Sequence, residues 1–354
     1  MIEIFKAAIQ RGASDLHLKT GDYIRARVFG ELVPLSQQRL SPEQVRQIAM
    51  QLIPHQRDRD RIDDLTDYDC SWGAPGLGRF RVNILRQRGS LMIVMRVIPI
   101  EIPNFEQLRL PKVLERIAHA ERGFVIVTGI TGSGKSTTLA SLVGFINSTK
   151  QKHIITLEDP IEFLHRDHTS SITQREVGTD TESFEGGLRA ALREDPDVVL
   201  VGEMRDIHTI DTALKAAETG HLVLSTLHTP NALQTISRLV SVFPPHEQAM
   251  VRIRLAETLV AVVSQRLLPR KDGRGRVPAV EVMVVTPALR DAIRDANTEV
   301  DAYQLIADGR LQYGSQTFDQ HLMDLVKQDL VAFDVAKSAA NNPSDFELQM
   351  RTLA

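Results

Sequence analysis

The sequence predicts an α/β protein of two domains, a small α+β domain followed by a parallel sheet wrapped in helices. Three observations carry this. The chain has 354 residues, enough for two domains at roughly 100–200 residues each. Beyond residue 106, short continuous apolar runs alternate with helical patterns, as in a sheet covered on both faces. A glycine-rich loop joins the first of those runs to a helix. Hydrophobic residues make up 42% and charged residues 25%, the ordinary mix of a folded protein, which excludes a disordered chain or a collagen.

Residues 1–98 form the first predicted domain. Ser14–Leu18 and Ile24–Val28 alternate apolar and polar residues, as half-buried strands do. Ser41 followed by Pro42 caps and opens a helix running to Leu52. Arg57–Asp64 alternates Arg and Asp and reads as a solvated helix face. Arg79–Ile84 and Leu91–Val97 form a strand pair across a turn at Gln87–Ser90. Residues 99–106, with Pro99 and Pro103, are the predicted linker.

Residues 107–354 form the second domain. Its predicted buried strands are Phe124–Thr128, Ile154–Leu157, Val198–Val201 and Leu222–Thr226. After Pro244 and Pro245 the pattern is mostly helical, with one further strand at Ala279–Val285.

Several classes are excluded by what the chain contains. No apolar run approaches the ~18 residues that span a membrane, so no direct membrane insertion is expected. Met1–Lys6 is not followed by a long apolar stretch, so no secretory signal is expected. Cys70 is the single cysteine, which permits neither an internal disulfide nor a cysteine zinc site and suits a reducing cytoplasm. Lys and Arg total 42 against 45 Asp and Glu, a net charge of −3. With 5% aromatic residues, nucleic acid is not an expected partner.

Gly129, Ile130, Thr131, Gly132, Ser133, Gly134, Lys135 and Ser136 match the G-x-x-x-x-G-K-[ST] phosphate loop, and Thr137 continues into a helix. The glycines let backbone N–H groups curl around an anion, and the helix adds its N-terminal dipole. Lys135 would reach the β and γ phosphates and the Ser136 hydroxyl would ligate Mg²⁺. No Asn/Thr-Lys-x-Asp guanine reader is present, so ATP is the expected nucleotide.

Hydrolysis also needs a positioned water and countercharge. Carboxyl ends of parallel strands line the ligand crevice of such sheets. Glu203 ends an apolar strand and is the candidate to hold Mg²⁺ through water; the competing reading is a charge at the start of the following helix. Glu162 is the candidate to polarise the attacking water; the competing reading is an exposed acid. Glu158 and Asp159 read equally as turn chemistry before Pro160. His228, at a strand's carboxyl end, is a candidate sensor of the γ-phosphate or its water, whereas His221 lies at the opposite end. The two histidines lack the companions of a metal site.

These strings also carry a family resemblance. Leu188–Asp197 running into Gly202-Glu203-Met204-Arg205-Asp206 resembles the signature of the type II/type IV secretion ATPases. Thr156–Glu162 resembles their Asp box and Ser225–Thr229 their His box. Within that superfamily the chain is similar to the type IV pilus retraction (twitching-motility, PilT-type) ATPases, through Gly12–His17, Gly76–Asn83 and Asn341–Phe346. The resemblance implies a homohexamer with a PAS-like N-terminal domain, a RecA-like motor domain with a helical C-terminal part, and ATP with Mg²⁺ between the two domains. It implies roles for Arg81 and Arg96 at the phosphates, from the same subunit or a neighbour, and agrees with the roles given to Glu162, Glu203 and His228. It also implies action at the cytoplasmic face of the inner membrane, on a pilus platform protein there.

One stretch departs from the family pattern. Retraction motors carry Ala-Ile-Arg-Asn-Leu-Ile-Arg-Glu; here Ala288-Leu289-Arg290-Asp291-Ala292-Ile293-Arg294-Asp295 keeps both arginines but has Asp in place of the Asn and the Glu. Asn297-Thr298 stands where Gly-Lys is usual. An accessory paralogue therefore remains an alternative to a retraction motor. A pilus-assembly or type II secretion motor is disfavoured by the missing cysteine tetrad. A regulatory adaptor is disfavoured by intact Lys135, Glu162 and Glu203, and a DNA translocase by the net charge. The basic loop Arg270–Arg276 reads as a surface turn.

Overall fold

The computed structural model describes residues 2–28, 30–74, 77–99, 101–295, 298 and 300–352. Gly76 and Asn297, both used in the family comparison above, lie outside the described residues. The chain divides into two compact units, one of Met1–Glu101 with Pro160–Leu164, the other of Ile102–Asp159 with His165–Ala354. The short segment Pro160–Leu164, which the sequence pattern places in the second domain, groups with the first.

The first unit is an antiparallel six-stranded sheet in the order β3-β2-β1-β6-β5-β4. Its strands are β1 (Ala13–Lys19), β2 (Tyr23–Val28), β3 (Glu31–Arg39), β4 (Asp67–Ala74), β5 (Gly78–Gln87) and β6 (Ser90–Ile98). Alternation decides the two faces. Leu16, Leu18, Ala26, Phe80, Val82, Ile93 and Met95 point into a core shared with Phe5 and Ala8 of the helix Ile2–Gln10 and Val45 and Ala49 of the helix Pro42–Leu52. The second of those helices starts as its sequence predicts: Ser41 caps, Gln44 completes a capping box and Pro42 takes the first turn. Both edge strands, β3 and β4, escape the sequence pattern. β3 contains Pro34 and a polar Ser-Gln-Gln-Arg tail, and β4 begins and alternates with acids. Edge strands tolerate such residues because only one side must pair. The Arg57–Asp64 run is helical only over Gln56–Arg59 and then breaks into turns.

The second unit holds a seven-stranded sheet in the order β13-β12-β7-β11-β10-β8-β9. Its strands are β7 (Gly123–Thr128), β8 (His153–Glu158), β9 (Ser171–Glu176), β10 (Val198–Val201), β11 (Leu222–Leu227), β12 (Leu259–Pro269) and β13 (Arg276–Val284). All neighbours are parallel except β12 and β13, which form an antiparallel hairpin. β7, β10 and β11 are buried at every residue, which is why they read as uninterrupted apolar runs.

After Pro244 and Pro245 there are two strands, not one. β12 follows the helix Gln248–Thr258 with no intervening turn residue, so nothing local marks the change. The basic loop is the turn of this hairpin, with Arg270 held by Asp272 and Lys271 by Asp329. The C-terminal helices pack Phe318, Leu322 and Phe346 against Leu268, Val277 and Ala279 of the hairpin. Phe105, within the predicted linker, is core: its ring lies 5.3 Å from that of Phe145.

Candidate active site

The phosphate loop leaves β7 at Thr128 and enters the helix Lys135–Thr149. Three of its glycines hold backbone conformations that side chains resist, with φ of +140° at Gly129, +78° at Gly132 and +92° at Gly134. Gly134 sits at the helix start with no side chain taking the first-turn N–H groups. Those groups and the helix dipole are therefore directed at whatever anion the loop encloses. Lys135 is 8% exposed and its Nζ donates to the carbonyls of Gly129 at 2.8 Å and Ile130 at 3.1 Å. Ser136 and Thr137 are half-buried in the first helical turn, and Ile130 is exposed at the loop's tip. This cradle fits a nucleotide's phosphates.

The sheet register carries two further candidates to the same edge. Val201 of β10 pairs with Ser225 of β11, and Leu227 of β11 pairs with Thr128 of β7. The residues just beyond these strands, Glu203 and His228, therefore emerge at the carboxyl edge from which the phosphate loop springs. His228 Nε2 lies 3.6 Å from Glu203 Oε2, and Glu203 also pairs with Arg205. The Glu203 side chain is only 16% exposed, whereas that of His228 is 51% exposed. Hydroxyls lock the two strand ends together: Ser225 Oγ donates to the Val201 carbonyl and Thr226 Oγ1 to that of Gly202, both at 2.6 Å. The helix Ile207–Glu218 is capped by Asp206, whose carboxylate accepts from the Thr209 N–H. Glu203 is thus not needed as that helix's cap. A carboxylate at this edge, with the Ser136 hydroxyl in the first helical turn, is a donor set that fits Mg²⁺ bound through water.

Other candidates are placed elsewhere. His221 packs its ring against the Ala216 carbonyl at the start of β11, the opposite end of the sheet. Among the described residues no group of three or more His, Cys, Asp or Glu is placed to hold a metal ion. Glu158 accepts from Thr156 Oγ1 and Gln174 Nε2 within the sheet. Glu162 is exposed and falls in the segment that groups with the first unit. In that unit Arg81 and Arg96 face each other directly across β5 and β6. Arg96 Nε donates to Asp15 Oδ1 at 2.9 Å. Burial pushes the Asp15 carboxyl up, but hydrogen bonds from Arg96 and Ser14 more than reverse this, so its pKa lies below the ordinary value.

A polar layer beneath the loop is not visible as a motif. Thr128 Oγ1 donates to Ser264 Oγ at 2.9 Å, and Gln265 Nε2 to Thr138 Oγ1 at 2.9 Å. Ser264 and Gln265, fully buried polar residues inside the apolar strand β12, were the available signal.

Comparison with known proteins agrees with this architecture. Residues 1–328 match the family of type II/IV secretion system proteins. The chain is 44% identical to the type IV pilus retraction ATPase PilT of Pseudomonas aeruginosa, covering 97% of this chain and 99% of that protein. It is 38% identical to the type IV pilus ATPase PilU of the same organism, over 99% and 91% of the two chains. A crystal structure of the pilus retraction motor PilT with bound ADP superposes with a TM-score of 0.88 at 45% identity, covering 98% of each chain. The chain belongs to the type II/IV secretion system protein family and is, within it, a relative of the type IV pilus retraction ATPases.

Proposed function

We propose that this chain is a Mg²⁺-dependent ATPase that works as a homohexameric motor of type IV pilus retraction. The observation that carries the proposal is the convergence of the phosphate loop, Glu203 and His228 on one edge of the parallel sheet. Lys135 opposes the β and γ phosphate charge, and Gly129–Thr137 supply the backbone cradle. Ser136 and, through water, Glu203 would hold the Mg²⁺, which would supply positive charge against the phosphate oxygens. Glu162 polarises the attacking water, His228 reports on that water or the γ-phosphate through Glu203, and Arg81 and Arg96 add countercharge from the same subunit or a neighbour. The motor acts at the cytoplasmic face of the inner membrane on a pilus platform protein. No helix among the described residues is long and apolar enough to cross a membrane.

A second reading, an accessory retraction ATPase, is favoured by the altered Ala288–Asp295 stretch. Complementation of a pilus-retraction-deficient strain, scored for retraction events, separates the two. A retraction motor restores events alone, and its Lys135→Ala variant does not. Restoration only when another retraction ATPase is co-expressed would establish the accessory reading, and purified protein without ATP turnover would overturn both.

A further inference from the structure

A cavity of about 810 Å³ opens in the second unit, between β13, the start of the helix Ala232–Ser241 and the C-terminal helices. It shares no residue with the phosphate loop, Glu203 or His228. Its volume is that of a small-molecule site. Among the described residues its wall carries three carboxyl groups, Glu281, Asp319 and Asp345, and no lysine or arginine.

Glu281 is the unusual member. It projects from the middle of β13 and is 1% exposed. One carboxylate oxygen, Oε1, accepts the N–H of Ala232 at 2.8 Å. The other has no hydrogen-bond partner among the described residues and borders the cavity. Among the described residues the nearby Arg266 cation is engaged elsewhere: its guanidinium stacks on Phe318 at 3.9 Å and bonds Asn341 and the Ala339 carbonyl. Around Glu281, Asp319 accepts the Asn341 N–H, Asp345 is bonded by the Asn342 amide, and the Tyr303 hydroxyl faces Asn341. The Asn341–Asn342 bend that leads into the helix Pro343–Thr352 is thereby fixed as part of the wall.

The chemistry selects the ligand. A multiply anionic, amide-lined cavity rejects phosphates and carboxylates and accepts N–H donors carrying positive charge. A metal ion is a poor match, because no three of these acids converge closely enough to hold one. Carboxyl groups distributed around a cavity suit positive charge distributed along a chain. We propose that this cavity is a binding site for an aliphatic polyamine, with one ammonium group held by the unsatisfied oxygen of Glu281 and another by Asp319 or Asp345.

Binding should depend on pH in a definite direction. Burial raises the Glu281 pKa to about 7, against the pull of the Ala232 N–H and Arg266, with Asp319 adding to the rise. The ligand requires the ionised form, so affinity strengthens as pH rises through about 7.

Calorimetry on the full-length protein with spermidine as the probe tests this without recourse to ATP turnover, so the outcome is independent of the motor reading. Saturable binding is expected, tighter at pH 8 than at pH 6. Glu281→Gln keeps an acceptor for the Ala232 N–H and so preserves the helix start. It should weaken binding about tenfold or more and remove the pH dependence. Asp345→Asn, at the exposed margin, should weaken it severalfold. Absence of saturable binding to the wild-type protein at millimolar spermidine would overturn the proposal. So would equal binding by both variants, which would mark diffuse surface attraction, or binding of an arginine-containing peptide with none of spermidine, which would assign the cavity to a protein side chain.

Discussion

Gly129 makes the phosphate loop intolerant of any side chain. With φ at +140°, a Cβ there would lie 2.4 Å from the Gln265 carbonyl oxygen and 2.5 Å from Ser133 Oγ. Gly129→Ala should cost on the order of 2 kcal/mol or more in urea unfolding and weaken nucleotide binding with it. Glu162→Gln and Glu203→Gln leave that cradle intact, so both should still bind ATP while turnover falls. For Glu162 the expected loss is on the order of 10²-fold if it activates water; unchanged kcat in Glu162→Gln would move the role to Glu158 or to Glu203 alone. Arg96 has a structural duty besides its proposed catalytic one. The Asp15 carboxyl, held below its ordinary value, contributes stability above an unfolded pKa of about 4 that is lost as pH falls through the folded value. Arg96→Ala should raise the Asp15 pKa in an NMR titration and flatten that acid limb. An unmoved Asp15 would show that Ser14 suffices. At this scale the place of the glycine-rich loop between β7 and its helix was legible, because its backbone requirements are local. The Glu203–His228 pair was legible only as two strand ends, and the Ser264 and Gln265 layer only as two polar residues within an apolar run.

Elements were legible where burial is uniform. β7, β10 and β11 are buried throughout and read directly as apolar runs, whereas β3, β4 and β9 lie at sheet edges and mix polar residues freely. The altered Ala288–Asp295 stretch does fold as a helix, Pro287–Arg294, capped by Thr286 and burying Leu289 and Ile293. Arg294 pairs with Glu257 of the neighbouring helix Gln248–Thr258 and with Asp291 on its own turn. Exposed pairs of this kind are worth under about 1 kcal/mol, so Arg294→Ala should leave the fold intact. Purified ATPase activity should stay within about twofold while pilus retraction in cells falls much further. Loss of ATPase would place the helix in assembly or catalysis, and normal retraction would leave it a packing surface.

For the whole molecule, the proposed ring makes activity a property of the assembly. If Arg81 or Arg96 acts across a subunit boundary, turnover per subunit should rise steeply with protein concentration. Mixing Arg96→Ala with Glu162→Gln subunits should then restore part of the activity, since one class of mixed site keeps both groups. A monomer as fast as the assembled protein would refute the trans arrangement. The amino-acid sequence alone determined the α/β class, the phosphate loop and the central strands. Each rests on interactions within a few residues or on a periodicity that burial imposes. Tertiary structure decided the rest. Sheet order brought β11 between β10 and β7, so that Glu203, His228 and the loop share an edge despite their separation along the chain. Long-range pairing turned Leu259–Pro269 into a strand directly behind a helix, and packing of the C-terminal helices enclosed Glu281. Strand order and enclosure arise from contacts between distant segments, and no local pattern of residues encodes which distant segment will be the neighbour.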